Sequence, residues 1–446
     1  MEKSLWHTVK KRITETNENR IVQNAGAIII GKIAQSLFGF VVGLLTARYL
    51  GPSNYGLITY AGAYTAFFMT ASSLGTNNLL VKEFVDRPDD EGLIIGSTIA
   101  MRLLASMAAI LIILAASFFL DAGEKLTVLI VGITSFSLLF QQPAEVLDFW
   151  FQARLESKVT AIATLIAYTV STAFKIYLLA SHKSVVFFAM VSSLDLFCLG
   201  LLLAIRYKKA GGQALRCSCA YGKSLLRKSY PLILSGMMFA VYSQVDKLML
   251  KNLISETETG YYAIAYTLCT IWCFVLGGVI TSYYPVIMTH AKDQDEELFN
   301  QKNKQLYAII FYSSTLVSIV LCIFASPLIS SLYGEHYMPS VPLVRIITWY
   351  TGLTFLGSAR AAWTVAKGLQ KNLFTINLLS AITNVVLNLL LIPKTGAAGA
   401  ALASLISHVL ITLVYPMFIQ DMRPNTLLML DAILLKGILW KRSRSH

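Results

Sequence analysis

The sequence predicts an all-α polytopic membrane protein, with about 12 transmembrane helices in two pseudo-symmetric six-helix lobes around a central cavity. Charged residues make up 14% of its 446 residues and apolar residues 56%, whereas a soluble domain carries about 25% charged residues. Mean hydropathy is +0.62, and apolar stretches long enough to cross a bilayer recur from end to end. These features exclude a soluble enzyme, a disordered protein and a nucleic-acid-binding domain.

The first 24 residues contain no apolar run of signal-peptide length. Leu5, Val9 and Ile13 repeat at helical spacing among basic residues, which predicts a short amphipathic helix on the membrane surface. A frayed polar tail accounts for the same pattern equally well.

Twelve apolar windows, each near 20 residues or somewhat longer, are predicted to span the membrane. In chain order they are Ala25–Ala47, Tyr55–Leu79, Leu93–Leu120, Leu126–Phe149, Val159–Ser181, Val185–Tyr207, Ser229–Leu253, Gly260–Met288, Leu306–Leu332, Val341–Ala366, Leu373–Ile392 and Ala397–Ile419.

The basic residues predict the orientation of these spans. When basic residues within two positions of a span end are counted with the adjoining loop, 26 of the 37 Lys and Arg residues fall on one side of the predicted membrane, 5 on the other and 6 within spans. Because cytoplasmic loops carry an excess of Lys and Arg, both termini are predicted to be cytoplasmic. The net charge of +13 is then explained by basic loops that orient the protein in the membrane and attract anionic lipid headgroups. No nucleic-acid partner is expected.

The longest and most basic connection divides the spans six and six. Arg48 precedes Gly56 by 8 residues and Lys251 precedes Gly260 by 9, in similar helix ends about 204 residues apart. Such a repeat is typical of alternating-access transporters, although chance similarity of helix ends produces the same pattern. The predicted organisation is an amphipathic N-terminus (1–24), an N-lobe (25–207), a basic linker (208–228), a C-lobe (229–419) and a basic tail (420–446).

The outer loops are short, the longest being the one around Gly334–Ser340. A membrane enzyme of glycan assembly usually needs a larger outer loop to build its site, so the chain is predicted not to be an enzyme. The segment Cys217–Ser224 lacks the first glycine of a P-loop. The cysteines do not have metal-site spacing, and neither a metal nor a cofactor is predicted.

Several segments resemble bacterial polysaccharide exporters in sequence, order and spacing. They are NAGAIIIG from Asn24 with the following ARYLGPSNYG, FWFQARLES from Phe149, SQVDKLMLKNLISETETGYYAIAY from Ser243, LYGEHYMPSVPLVRII and NLLLIPKTGAAGAALASLIS. The family they resemble is the lipid-linked oligosaccharide flippases, the O-antigen and capsule repeat-unit translocases of the multidrug/oligosaccharidyl-lipid/polysaccharide exporter superfamily. The chain ends soon after its twelfth span, unlike the fourteen-helix lipid II flippases.

The resemblance implies a substrate, a location and partners. The substrate would be an undecaprenyl-pyrophosphate-linked oligosaccharide repeat unit, moved from the cytoplasmic to the periplasmic leaflet of the bacterial inner membrane by alternating access. The implied partners are membrane lipids, a polysaccharide polymerase and a chain-length regulator, with a proton or sodium ion as coupling ion.

Eight of the charged side chains within predicted spans are functional candidates, because a charge there costs about 2.5–3.5 kcal/mol on insertion scales. The two acids, Asp246 and Asp195, are candidates for ion coupling. Six cations against two acids favour an anionic substrate head, because cations lining a wet cavity replace the lost hydration of a diphosphate. The six predicted substrate-binding cations are Lys32, Arg102, Lys175, Lys247, Arg345 and Arg360.

Some of these residues have structural alternatives. Lys175 and Arg345 lie near helix ends, where their side chains can snorkel to the interface. Asp246 and Lys247 are adjacent and form either an internal ion pair or a protonatable switch. The main alternative function is a cation-coupled multidrug exporter of the same superfamily. That function would favour acidic cavity residues, and the basic excess argues against it.

Overall fold

The computed structural model describes residues 38–121 and 123–436. Within these ranges all regular structure is helical. The helices are α1 (38–72), α2 (Asn77–Asp86), α3 (Glu91–Leu120), α4 (Lys125–Ser135), α5 (Ser137–Ala153), α6 (Ser157–Ala180), α7 (Val185–Lys209), α8 (Cys219–Leu253), α9 (Glu256–Thr270), α10 (Phe274–Lys292), α11 (Glu296–Leu332), α12 (Ser340–Ala366), α13 (Gln370–Thr395), α14 (Ala397–Val409), α15 (Tyr415–Phe418) and α16 (Arg423–Ile433). The predicted amphipathic N-terminus, most of the first span and Lys32 lie outside the described residues.

Eight stretches of the described chain are long and apolar enough to cross a membrane. The predicted all-α polytopic fold class is confirmed. Predicted spans one and two meet within α1, which contains Gly51 at a φ of +71° followed by Pro52. This left-handed conformation is accessible to glycine at little cost. The next residue is proline, which has no N–H group and therefore needs no hydrogen-bond acceptor at this irregular point of the helix.

The last predicted span is irregular near its end. After α14 the chain forms a π-helix, Leu410–Val414, and then the short α15, which contains Pro416. Proline has no N–H group, so the carbonyl of Thr412, four residues earlier, lacks its helical donor. The interrupted ladder therefore needs a donor from elsewhere in the fold.

The described residues fall into two compact units. Unit 1 consists of Tyr64–Gly236 with the described part of Met1–Thr46, and unit 2 consists of Ala47–Ala63 with the described part of Met237–His446. Both α1 and α8 contribute residues to each unit.

An aromatic cluster forms the core of unit 1. Trp150, Phe151 and Tyr207 are buried, and the rings of Trp150 and Tyr207 meet edge to face at 4.8 Å between centroids. The guanidinium of Arg154 lies 4.0 Å from the Trp150 ring centroid and donates to both carboxylate oxygens of Glu91 at 2.8 Å. This bidentate pair fastens the end of α5 to the start of α3.

The linker between α7 and α8 lies directly against α3. A β-carbon on Gly92 would stand 2.3 Å from the carbonyl oxygen of Ala214, and one on Gly96 would stand 2.3 Å from that of Arg216. The Arg216 N–H donates to the Gly92 carbonyl at 3.0 Å. The two glycines therefore provide a groove that holds the linker backbone within unit 1.

The first turns of α8 are tied to α2 by a carboxylate. Glu83 accepts hydrogen bonds from the Lys228 ammonium at 2.6 Å and from the Tyr221 hydroxyl at 3.2 Å. Burial raises the pKa of Glu83, but the hydrogen bond and the positive charge of Lys228 lower it by more than burial raises it. The pKa of Glu83 therefore lies below its ordinary value of 4.5.

In unit 2, α16 packs against α11. Met429 and Ala432 are buried in the unit's apolar core. The Lys304 ammonium lies 2.9 Å from Asp431, and the Tyr312 hydroxyl donates to the Ile433 carbonyl at 2.7 Å. Part of the segment predicted as a basic tail is therefore a helix docked on the bundle.

Two polar side chains set helix starts in unit 2. The Ser255 hydroxyl accepts the Glu258 N–H at 3.3 Å and caps α9. The Glu258 carboxylate in turn accepts the Ala397 N–H at 2.8 Å, at the start of α14, where a negative charge complements the helix dipole. Both helices contribute to the cavity of unit 2.

Candidate functional site

A cavity of about 260 Å³ lies inside unit 2 between α8, α9, α12 and α14. Its wall carries six Phe and Tyr rings, with hydroxyl groups and two charged side chains, Asp246 and Lys247, among them. Concave, largely apolar sites with a few convergent polar groups are typical of small-molecule binding sites. The aromatic residues in its wall are Phe239, Tyr242, Tyr262, Tyr266, Tyr350 and Phe355.

The Asp246 carboxylate is buried and surrounded by neutral donors. Its Oδ2 accepts the Tyr262 hydroxyl at 2.7 Å and also the Ser404 hydroxyl. Its Oδ1 accepts the Asn388 amide at 2.6 Å. Asn388 Nδ2 also donates to Asn384 Oδ1 at 3.1 Å, and Asn388 Oδ1 is buried without a hydrogen-bond partner among the described residues. The result is a single carboxylate surrounded by neutral hydrogen-bond donors.

Spacing along the helices explains how this cluster forms. Residues four apart share one face of a helix. Three such polar pairs point into one region of unit 2: Tyr262 with Tyr266 on α9, Asn384 with Asn388 on α13, and Ser404 with His408 on α14. The sequence analysis missed these pairs, and polar residues at i and i+4 within apolar spans are the signal that would have found them.

Lys247 does not pair with its neighbour Asp246. Its ammonium donates to Gln244 Oε1 at 3.1 Å and lies 5.0 Å from the ring centroid of Tyr266. The internal ion pair, one of the two alternatives for these adjacent residues, is therefore not formed among the described residues.

His408 forms the aromatic end of the cavity. Its ring stacks on Tyr350, with centroids 4.7 Å apart and planes 3° from parallel. The Tyr242 hydroxyl contacts the imidazole, and the Thr354 hydroxyl lies 3.1 Å from Nδ1. The sequence alone does not mark this histidine as a site residue.

Arg102 lies in unit 1 and is 0% exposed. Its Nη2 donates to Thr76 Oγ1 and Asn77 Oδ1, both at 2.6 Å, and its Nη1 donates to Gln142 and Glu145 at 3.3 Å each. Protein groups thus take the donors that the sequence analysis assigned to a diphosphate. This geometry favours a packing role that joins α2, α3 and α5.

Asp195 and Lys175 come together in unit 1. Asp195, on α7, accepts the Ser171 hydroxyl of α6 at 3.1 Å, and the positive charge of Lys175 acts on it. The sequence analysis found no base next to Asp195 along the chain, because its opposite charge comes from the neighbouring helix.

Arg360 is 2% exposed in unit 2 and supplies the donor that the irregular last span needs. It donates to the Ile411 carbonyl at 3.2 Å, to the Thr412 carbonyl, and to Asn425 Oδ1 of α16 at 3.2 Å. This places Arg360 at the π-helix instead of the cavity wall.

Arg345 is exposed on α12. Its Nε lies 3.4 Å from the Cys322 carbonyl of α11. Of the predicted cations that the structure describes, only Lys247 lines the cavity of unit 2.

Two protein families match the sequence. The model of the family described as polysaccharide biosynthesis protein matches residues 21–291, and that of the lipid II flippase MurJ matches residues 220–440. The capsular polysaccharide biosynthesis protein CapF of Staphylococcus aureus is 22% identical over 411 residues, covering 89% of this chain and 99% of that protein. Both families are of the transporter type, which confirms the prediction that the chain is not an enzyme.

Solved structures of membrane transporters share the fold. An inward-facing multidrug resistance transporter of the MATE family has a TM-score of 0.67 at 14% identity, covering 92% of this chain and 100% of its own. The lipid II flippase MurJ in an inward closed conformation has a TM-score of 0.65 at 16% identity, covering 91% of each chain. These relatives are membrane transporters, and the chain is likewise a multi-pass membrane protein. Because the first family model matches more than half of its length, the protein belongs to the polysaccharide biosynthesis protein family of the multidrug/oligosaccharidyl-lipid/polysaccharide exporter superfamily.

Proposed function

We propose that this protein translocates undecaprenyl-pyrophosphate-linked oligosaccharide repeat units, of O-antigen or a similar surface polysaccharide, from the cytoplasmic to the outer leaflet by alternating access. The observation that carries the proposal is the similarity to a capsular polysaccharide biosynthesis protein along 89% of this chain and 99% of that protein. The functional partners would be membrane lipids, a polysaccharide polymerase and a chain-length regulator.

The proposed location is the bacterial inner membrane, with both termini and the linker in the cytoplasm. The split of 26 basic residues against 5 supports this orientation. Cysteine labelling of intact cells tests it: an impermeant thiol reagent should leave the exposed Cys217 of the linker unmodified. Modification of Cys217 before cell lysis would reverse the orientation.

Asp246 is the proposed coupling group. An ionised carboxylate is costly at membrane depth, and here it accepts hydrogen bonds from the hydroxyl groups of Tyr262 and Ser404 and from the amide nitrogen of Asn388. A single carboxylate among neutral polar groups suits a proton or a monovalent cation such as sodium, because one bound charge makes the cluster neutral. Asp195 is the second candidate, with fewer donors around it.

A cation-coupled multidrug exporter is the second candidate function. The observation in its favour is the similarity in fold to a MATE transporter. The charge of the cavity in unit 2 argues against it, since Lys247 offsets Asp246 in the same wall.

Complementation tests the proposal. The gene should restore surface polysaccharide in a bacterial strain that lacks its own repeat-unit translocase, measured by gel analysis of the extracted polymer. A variant truncated after residue 236 is the negative control, because it lacks most of unit 2. If the protein reaches normal abundance in the membrane but restores no polymer in several translocase-deficient strains that make different repeat units, a flippase function would be contradicted. Raised drug resistance in a pump-deficient strain would support the exporter.

A further inference from the structure

The cavity in unit 2 has room for a small occupant. Pockets that hold drug-sized ligands measure about 300–1,000 Å³, and this cavity measures about 260 Å³. A single small ring fits such a volume.

The aromatic wall offers ring faces to that occupant. Phe239 is 56% exposed, and its ring meets Tyr242 at a tilt of 53°, with centroids 6.4 Å apart. The face of an aromatic ring is electron-rich. The C–H bonds on one side of a pyranose ring carry a slight positive charge, so a sugar stacks on such a face.

Polar groups in the same wall have unused hydrogen-bonding capacity. The Tyr266 hydroxyl has no hydrogen-bond partner among the described residues. The Lys247 ammonium carries three protons and has one acceptor there, Gln244. Together they can donate to and accept from the hydroxyl groups of a sugar.

The charges favour a neutral occupant over an organic cation. Both oxygens of Asp246 already accept hydrogen bonds from the protein. The position over the Tyr266 ring, where a cationic ligand would gain a cation–π interaction, is held by the Lys247 ammonium. A quaternary ammonium ligand would meet a like charge there.

We infer that the cavity of unit 2 is a binding site for one neutral pyranose ring of the glycan, with Phe239 as the stacking face and Tyr266 and Lys247 as hydroxyl partners. The inference rests on the proposed function, since it assigns a sugar-recognising site to the transported oligosaccharide. These three side chains would then influence which repeat units the protein accepts.

Saturation-transfer-difference NMR tests the inference on the full chain in lipid nanodiscs. The probes are the methyl glycosides of glucose, galactose and N-acetylglucosamine, with tetramethylammonium as the competing cation and empty nanodiscs as the blank. We expect transfer to the ring C–H protons of at least one glycoside. Phe239→Ala should reduce that transfer at least threefold, and Tyr266→Phe should weaken binding severalfold. Phe324→Ala, which removes an equally exposed ring outside the cavity, should leave it unchanged.

Three results would overturn the inference: no glycoside signal above the blank, equal signals in wild type and Phe239→Ala, or loss of the glycoside signal when tetramethylammonium is added. Complementation separates this outcome from the fate of the proposed function. Restored polymer without glycoside binding removes the sugar site and keeps the flippase, whereas binding without restored polymer keeps the sugar site and removes the flippase.

Discussion

Gly56 and Gly260 lie in direct backbone contact where α1 and α9 cross within unit 2. A β-carbon on Gly56 would stand 2.7 Å from the Gly260 nitrogen and 1.8 Å from the Glu256 carbonyl oxygen, and one on Gly260 would stand 2.1 Å from the Pro52 carbonyl oxygen. The Ser53 hydroxyl donates to Glu256 at 3.1 Å beside this crossing. These are the two glycines that mark the internal repeat, and close approach of two helix backbones explains why neither position carries a side chain.

Gly56→Ala is therefore expected to lower stability. The added methyl group overlaps backbone atoms that cannot move aside, and overpacking of this kind costs about 1–3 kcal/mol. The thermal unfolding midpoint in detergent should fall by several degrees. Gly62→Ala is the matched control on the same helix, because nothing lies within 4 Å of its added carbon. Equal unfolding midpoints for the two variants would show that α1 and α9 can move apart at this crossing with little loss of stability.

Asp246→Asn is expected to uncouple transport from the ion gradient. The amide keeps the shape of the carboxylate but removes the charge that a proton or cation neutralises. In proteoliposomes, wild type should respond to an imposed pH or sodium gradient and the variant should not, while lipid binding is retained. Asp431→Asn, at a carboxylate on α16, should respond like wild type. A wild type that ignores both gradients would identify a passive facilitator pulled by polymerisation.

Arg102→Ala is expected to reduce the amount of folded protein together with activity. The sequence alone predicts loss of activity at normal abundance, but the structure gives Arg102 four protein partners. Removing one member of a buried charged network costs about 3–5 kcal/mol. Quantitative blotting and thermal unfolding measure this cost, with Arg345→Ala as the exposed control. Normal abundance and stability with abolished transport would instead support a role for Arg102 in substrate binding.

Glu83→Gln is expected to destabilise the protein at neutral pH and to have little effect in acid. Because Lys228 lowers the pKa of folded Glu83 below 4.5, its stabilisation is present above the unfolded value and disappears as the pH falls through the folded value. Lys228 is 49% exposed, so the effect should be below about 1 kcal/mol. Unfolding midpoints between pH 7 and pH 3 should converge for variant and wild type. A constant difference over this range would assign the effect to packing, and Glu297→Gln serves as the exposed control.

The spans could be predicted from sequence because a bilayer imposes a length on every apolar helix. The helices of Leu93–Leu120, Val159–Ser181 and Val185–Tyr207 agree with their windows to within two residues at each end. The docked helix α16 was missed because its 11 residues are too few to span a bilayer, and its packing partners lie far away in sequence.

Partnerships across helices could not be predicted in the same way. Arg102, Gln142 and Glu145 each stand out as polar residues in or near spans, yet nothing in their spacing shows that they meet. Similarly, Asn388 and Ser404 are uncharged and give weak signals, although both bind Asp246. A charged residue is easily recognised in an apolar sequence, whereas the neutral residues that form hydrogen bonds with it are not.

The attachment of Arg360 to α16 has a consequence for biosynthesis. Arg360 is synthesised 65 residues before its acceptor Asn425, so the guanidinium enters the membrane while that acceptor is still to be made. Its amide partner arrives only when the ribosome has translated the last described helix. A chain interrupted before Asn425 therefore lacks one acceptor for this guanidinium and leaves one of its donors unfilled.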